Sequence, residues 1–101
     1  MSWAHYYIKQ LLEGKQVSFR PRGNSMLPKI KSGQLVTVTP LGEHELSAGD
    51  IVLCRVSGRD YLHLVKAIRP DGQVQIGNNK GHINGWTSRS KVYGLCVRIE
   101  D

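Results

Sequence analysis

Asp50-Ile-Val-Leu-Cys-Arg-Val56 and Asp60-Tyr-Leu-His-Leu-Val-Lys-Ala-Ile68 are two β-rich runs separated by a Ser-Gly-Arg-Asp turn signal. Their residue types suit a pleated, partly buried surface, and the intervening Gly supplies the backbone freedom a tight turn needs. Similar runs occupy Val17 to Arg20, Leu35 to Thr39, Gln73 to Ile76 and Lys91 to Ile99. Pro-Arg-Gly, Lys-Ser-Gly, Ala-Gly-Asp and Pro-Asp-Gly punctuate them. Short strands joined by Gly-bearing turns predict a mainly β domain, built as a coiled antiparallel sheet or small barrel.

The exception lies at the N-terminus. Trp3, Ala4, Tyr7, Ile8, Leu11 and Leu12 fall on one face of a helical wheel, opposite Ser2, His5, Lys9, Gln10 and Glu13. Ser2 is placed to cap this helix and Gly14 to end it. The organisation predicted is a short amphipathic helix over residues 1–14 and a β domain over 15–101. The helix is expected to lay its apolar stripe on a sheet; Trp3, Tyr6 and Tyr7 would also suit a membrane interface.

With 101 residues the chain is expected to form one small domain. Fourteen Lys and Arg against eight Asp and Glu leave a net charge of +6, which favours anionic partners without specifying chemistry. No apolar run approaches the roughly 20 residues of a membrane helix, and no secretory leader pattern opens the chain. Cys54 and Cys96 sit singly in apolar runs and read as reduced core residues. A reducing, cytoplasmic location follows as the expectation. The four histidines are dispersed, so neither a metal site nor a cofactor is expected.

Chemistry concentrates in Arg20-Pro-Arg-Gly-Asn-Ser-Met-Leu-Pro-Lys-Ile30, where two prolines and a glycine stiffen a loop around Ser25. A serine held on such a loop is a candidate nucleophile if a base reaches it. Two candidates lie on one strand: alternation sets His63 with Tyr61 and Val65, and Lys66 on the opposite face. His63 titrates near neutrality, whereas Lys66 would need burial to act as a base.

The order of segments adds to this reading. Gly23-Asn-Ser-Met-Leu-Pro28 is followed by Lys31-Ser-Gly-Gln-Leu-Val36, Leu46-Ser-Ala-Gly-Asp-Ile-Val52, Tyr61-Leu-His-Leu-Val65, Ile76-Gly-Asn-Asn79 and Val92-Tyr-Gly-Leu-Cys-Val97. This series resembles the superfamily of LexA-type and type I signal-peptidase-type serine peptidases over roughly residues 20–99. The resemblance implies a coiled β fold and a peptide-bond hydrolase with Ser25 as nucleophile. His63-Leu-Val occupies the place of the base in the His-using branch of signal peptidases, so His63 inherits that role and Lys66 is the alternative. Ser25, Met26, Asn78 and Asn79 are expected along the oxyanion site and substrate groove, with a protein or peptide bound in extended conformation.

The chain departs from that pattern in two respects. The His branch carries an acidic residue in or after a Gly-Asp-Asn-Asn segment, whereas this chain has Gly77-Asn-Asn-Lys80, then Asn84, with no carboxylate between Asp71 and Glu100. An Asn can orient an imidazole but stabilises its charged form less than a carboxylate does. Nor does a membrane segment, a helix-turn-helix domain or a self-cleavage Ala-Gly or Cys-Gly pair precede Ser25. The expected function is therefore limited cleavage of another protein or a leader in trans. A peptide-binding module on the same fold is the alternative. A basic nucleic-acid-binding β domain ranks third: Arg20, Arg22, Lys29 and Lys31 surround the Ser loop and Trp86 offers a stacking face, but a solvated basic rim explains the same residues.

Overall fold

Val52, Leu53 and Cys54 are each fully buried, so their strand has apolar neighbours on both faces. In the computed structural model, which describes residues 2–101, that strand (β3, Ile51–Val56) separates two cores. The chain before it forms α1 (His5–Leu12), β1 (Val17–Phe19) and β2 (Leu35–Pro40). After it come β4 (Arg59–Ile68), β5 (Val74–Gly77), β6 (Ile83–Thr87), a 3-10 turn at Arg89–Lys91 and β7 (Val92–Glu100). All seven strands belong to one antiparallel sheet, ordered β1-β2-β7-β3-β4-β5-β6.

The mainly β, coiled architecture expected from the turn spacing is the one observed. The sheet curls until its last strand returns to its middle: Thr87 Oγ1 on β6 donates to the Arg55 carbonyl on β3 at 2.7 Å. Bulges in the β2–β7, β3–β7, β4–β5 and β5–β6 ladders supply local bending. One core lies under α1 and joins Ala4, Ile8 and Leu11 to Val36, Leu53 and Leu64. The other fills the curl with Val52, Cys54, Val65 and Ile76.

The β3–β4 connection sets the register on which the site depends. Ser57 and Gly58 both take positive φ, 50° and 80°, between the paired residues Val56 and Arg59. A two-residue turn of that kind matches the strand twist and favours glycine. It pairs His63 with Val52 and Tyr61 with Cys54. A one-residue slip would send His63 to the other face.

Three expectations need correction. The helix begins at His5 with Ala4 at its N-cap, not with Ser2. The Ser2 hydroxyl instead accepts from the Ala4 N–H and donates to Asp60 on β4. The buried helical stripe is Ala4, Ile8 and Leu11, while Leu12 is 71% exposed. Residue type predicts no strand over Ile83-Asn-Gly-Trp-Thr87, since Asn and Gly are poor strand formers, yet β6 forms there. Its partner β5 recruits it through the Asn78–His82 turn, in which the Asn78 N–H donates to the His82 carbonyl at 2.9 Å.

No helix among the described residues is long and apolar enough to cross a membrane. Cys54 and Cys96 form no disulfide.

Candidate functional site

The loop between β1 and β2 is closed at its base by the Gly33 N–H donating to the Pro21 carbonyl at 2.9 Å and by Arg20 donating to the Gly33 carbonyl at 2.8 Å. Its apolar residues Met26 and Ile30 are buried in the core beneath α1, which leaves the neighbouring Ser25 at the surface. A second element holds it from the side. Asn79, after β5, donates its backbone N–H to the Ser25 carbonyl at 2.9 Å and its side-chain amide to the Leu27 carbonyl at 2.8 Å.

β4 brings His63 to this loop. Its Nε2 lies 3.2 Å from Ser25 Oγ and its Nδ1 lies 2.7 Å from Asn84 Oδ1 on β6. Because the amide oxygen of Asn84 only accepts, Nδ1 carries the proton and the Nε2 lone pair faces the serine hydroxyl. Tyr61 stacks on the imidazole, with ring centroids 5.0 Å apart and planes inclined by 27°.

Burial pushes the His63 pKa below its ordinary value. The Asn84 hydrogen bond opposes this, while the nearby His82 and Lys66 side chains act in the same direction as burial. Near pH 7 the imidazole is therefore neutral and able to accept a proton. Other nucleophile candidates fare poorly. Burial raises the Cys54 thiol pKa to about 12 and also pushes the Cys96 thiol up, so neither is a thiolate at neutral pH.

Lys66 makes no hydrogen bond with Ser25. It is the additional residue at the β4–β5 bulge, where Val65 pairs with Ile76 and Ala67 with Gln75. Simple alternation across β4 therefore ends just before it. Asp50 accepts from the Ser47 N–H at 2.8 Å and closes the Ala-Gly-Asp turn before β3.

Of the residues expected along the groove, Ser25 and Met26 line a cavity of about 500 Å3 that also meets His63. Asn78 and Asn79 are not among its lining residues. The Asn78 side chain accepts from the Lys80 and His82 N–H groups and shapes the β5–β6 turn, while Asn79 holds the Ser loop. No local sequence signal marks this clamp or the Tyr61 stack, although alternation alone places Tyr61 and His63 on one face. Asn79→Ala is expected to cost about 1 kcal/mol of stability and to speed amide exchange across residues 24–28, measured by hydrogen exchange.

Comparison with known families finds that the peptidase S24-like model matches residues 5–83. The chain belongs to the peptidase S24-like family. A search of curated proteins finds no matching relative. The S24-like match begins within α1 and takes in Ser25, His63 and the Asn79 clamp. It ends one residue before Asn84, so the partner of His63 Nδ1 comes from beyond the matched span.

Proposed function

We propose that this S24-like protein is a serine peptidase that cleaves an extended protein segment in trans, with Ser25 as nucleophile and His63 as general base. The observation that supports it is the continuous chain Ser25 Oγ, His63 Nε2, His63 Nδ1, Asn84 Oδ1, with spacings of 3.2 and 2.7 Å, beside an open cavity. Ser25 Oγ attacks the carbonyl carbon and its proton passes to Nε2. The Ser25 N–H is the proposed donor to the resulting oxyanion. His63 returns the proton to the leaving amine, and an acyl ester remains on Ser25. Water then attacks the ester and again yields its proton to His63, releasing a carboxylic product and restoring the serine.

Asn84 is a positioning residue in this scheme. It fixes the tautomer but brings no negative charge to the imidazolium, so turnover is expected to be slower than with a carboxylate there. The same absence of charge favours a second reading, a peptide-binding module with weak or no turnover.

The test is covalent labelling with a serine-directed fluorophosphonate across a pH series. A single adduct on Ser25 is expected, with a labelling rate that rises with pH and levels off. The neutral form of His63 is the active one, and its pKa is lowered. The acid limb should therefore have its midpoint below about 6.5, the ordinary imidazole value. Asn84→Asp should move that limb to higher pH, because a carboxylate favours the imidazolium. Failure of Ser25 to label at any pH would favour the binding module.

A further inference from the structure

The cavity beside Ser25 has walls of a definite chemistry. Trp3 and Tyr7 come from the N-terminal segment and α1, Phe19 from β1, Met26 and Ile30 from the Ser loop, and Leu62 from β4. Tyr7 stacks on Phe19 with centroids 4.4 Å apart and planes 20° from parallel, and Trp3 tilts over Phe19 at 5.7 Å. These rings hold one another in place, so the pocket exists before any ligand enters. Its volume of about 500 Å3 is ample for a large side chain.

Charge at the mouth is one-sided. Arg20, Arg22 and Lys31 border the cavity, and none of them forms a salt bridge among the described residues. Asp60 is the one acid in the lining, and its side chain is 1% exposed. Arg55 Nε donates to it at 2.8 Å and Ser2 donates to its other oxygen. With both oxygens engaged and its charge paired, Asp60 offers little to a cationic ligand.

We propose that this cavity is the pocket for a substrate side chain, and that it takes an aromatic or large aliphatic residue flanked by a carboxylate-bearing residue. The inference rests on the peptidase reading for its consequence in catalysis, but the recognition itself can be measured without turnover. Apolar walls reward the burial of a ring over a methyl group. The basic mouth attracts an acidic neighbour through a screened, salt-sensitive interaction.

A set of hexapeptides settles the matter, identical except for Phe, Leu, Ala or Lys at one position and Glu or Gln beside it. Binding is measured by calorimetry to Ser25→Ala, and cleavage by mass spectrometry with the unaltered protein. The Phe peptide is expected to bind at least about tenfold tighter than the Ala peptide. Glu should add roughly two- to fivefold at low salt, and this gain should fade at high salt. Trp3→Ala, at a half-exposed position, should compress the Phe-to-Ala ratio, and Arg22→Ala with Lys31→Ala should remove the advantage of Glu.

Tight Phe-peptide binding without cleavage supports the pocket and overturns the peptidase reading. Cleavage that prefers Ala, or ignores this position, supports the peptidase and overturns the pocket. A preference for Lys, or no binding and no cleavage of any member, also overturns the pocket.

Discussion

Ser25→Ala and His63→Ala are each expected to lower kcat/KM by about three to four orders of magnitude, and the double variant by little more. In the proposed mechanism the two groups act as one unit, since a hydroxyl without its base and a base without its hydroxyl are both ineffective. Lys66→Ala provides the contrast. Lys66 makes no bond to Ser25, and its charge lowers the pKa of His63. Removing that charge should keep kcat/KM within a few fold at neutral pH while moving the acid limb slightly upward. The measurement is the pH profile of kcat/KM for the parent and the four variants on a peptide cleaved by the parent. If Lys66→Ala abolished turnover and His63→Ala spared it, the base would be a lysine and the proposed assignment wrong. Unchanged thermal melting of Ser25→Ala would separate lost chemistry from lost fold, because this side chain is exposed.

Gly94→Ala is expected to cost about 3 kcal/mol of stability, and so to lower Tm by roughly 12–24 °C for a domain of this size. Gly94 is buried in β7, where the sheet carries α1 close above it. A Cβ there would lie 2.5 Å from Val38 Cγ1, 2.8 Å from the Thr39 carbonyl oxygen and 3.0 Å from Leu11 Cδ1. The valine and leucine belong to the core under the helix, and the carbonyl is part of the neighbouring strand. Relief would require β2 or α1 to shift rather than one flexible side chain. Chemical denaturation of the variant beside the parent measures the cost, and a loss below about 0.5 kcal/mol would show that this contact yields easily.

The strands whose residues agree with their environment were legible to within a residue or two: β2, β3 and β5 combine β-branched residues with clear turns. β6 was not, because Asn84, Gly85 and the polar turn before it argue locally against a strand, and only the free edge of β5 makes it one. Lys66 illustrates the same limit within an element. Period-two counting is valid up to Val65, and a bulge ends it. Ser2 is a good capping residue by type, yet Asp60 and the turn before α1 take its hydroxyl.

Ser25 and His63 can be singled out by chemical type and segment order, and Asn84 is by type a residue able to orient an imidazole. Asn78 and Asn79 were less legible. Either amide could face a groove or hold a loop, and the choice is made by the Lys80, His82, Leu27 and Ser25 backbone groups that surround them.

The sequence by itself determined the β texture, the places of the turns, the apolar stripe of the helix and the residues able to carry chemistry. Each of these follows from local backbone preference or from the properties of single side chains. Tertiary structure alone decided that Ser25 meets His63 across 38 residues and that His63 meets Asn84 across 21. It also decided that aromatic rings from α1 and β1 wall the adjoining cavity. Those distances depend on strand register, on bulges and on the curl that returns β6 to β3, and each of these is set by the packing of the whole sheet.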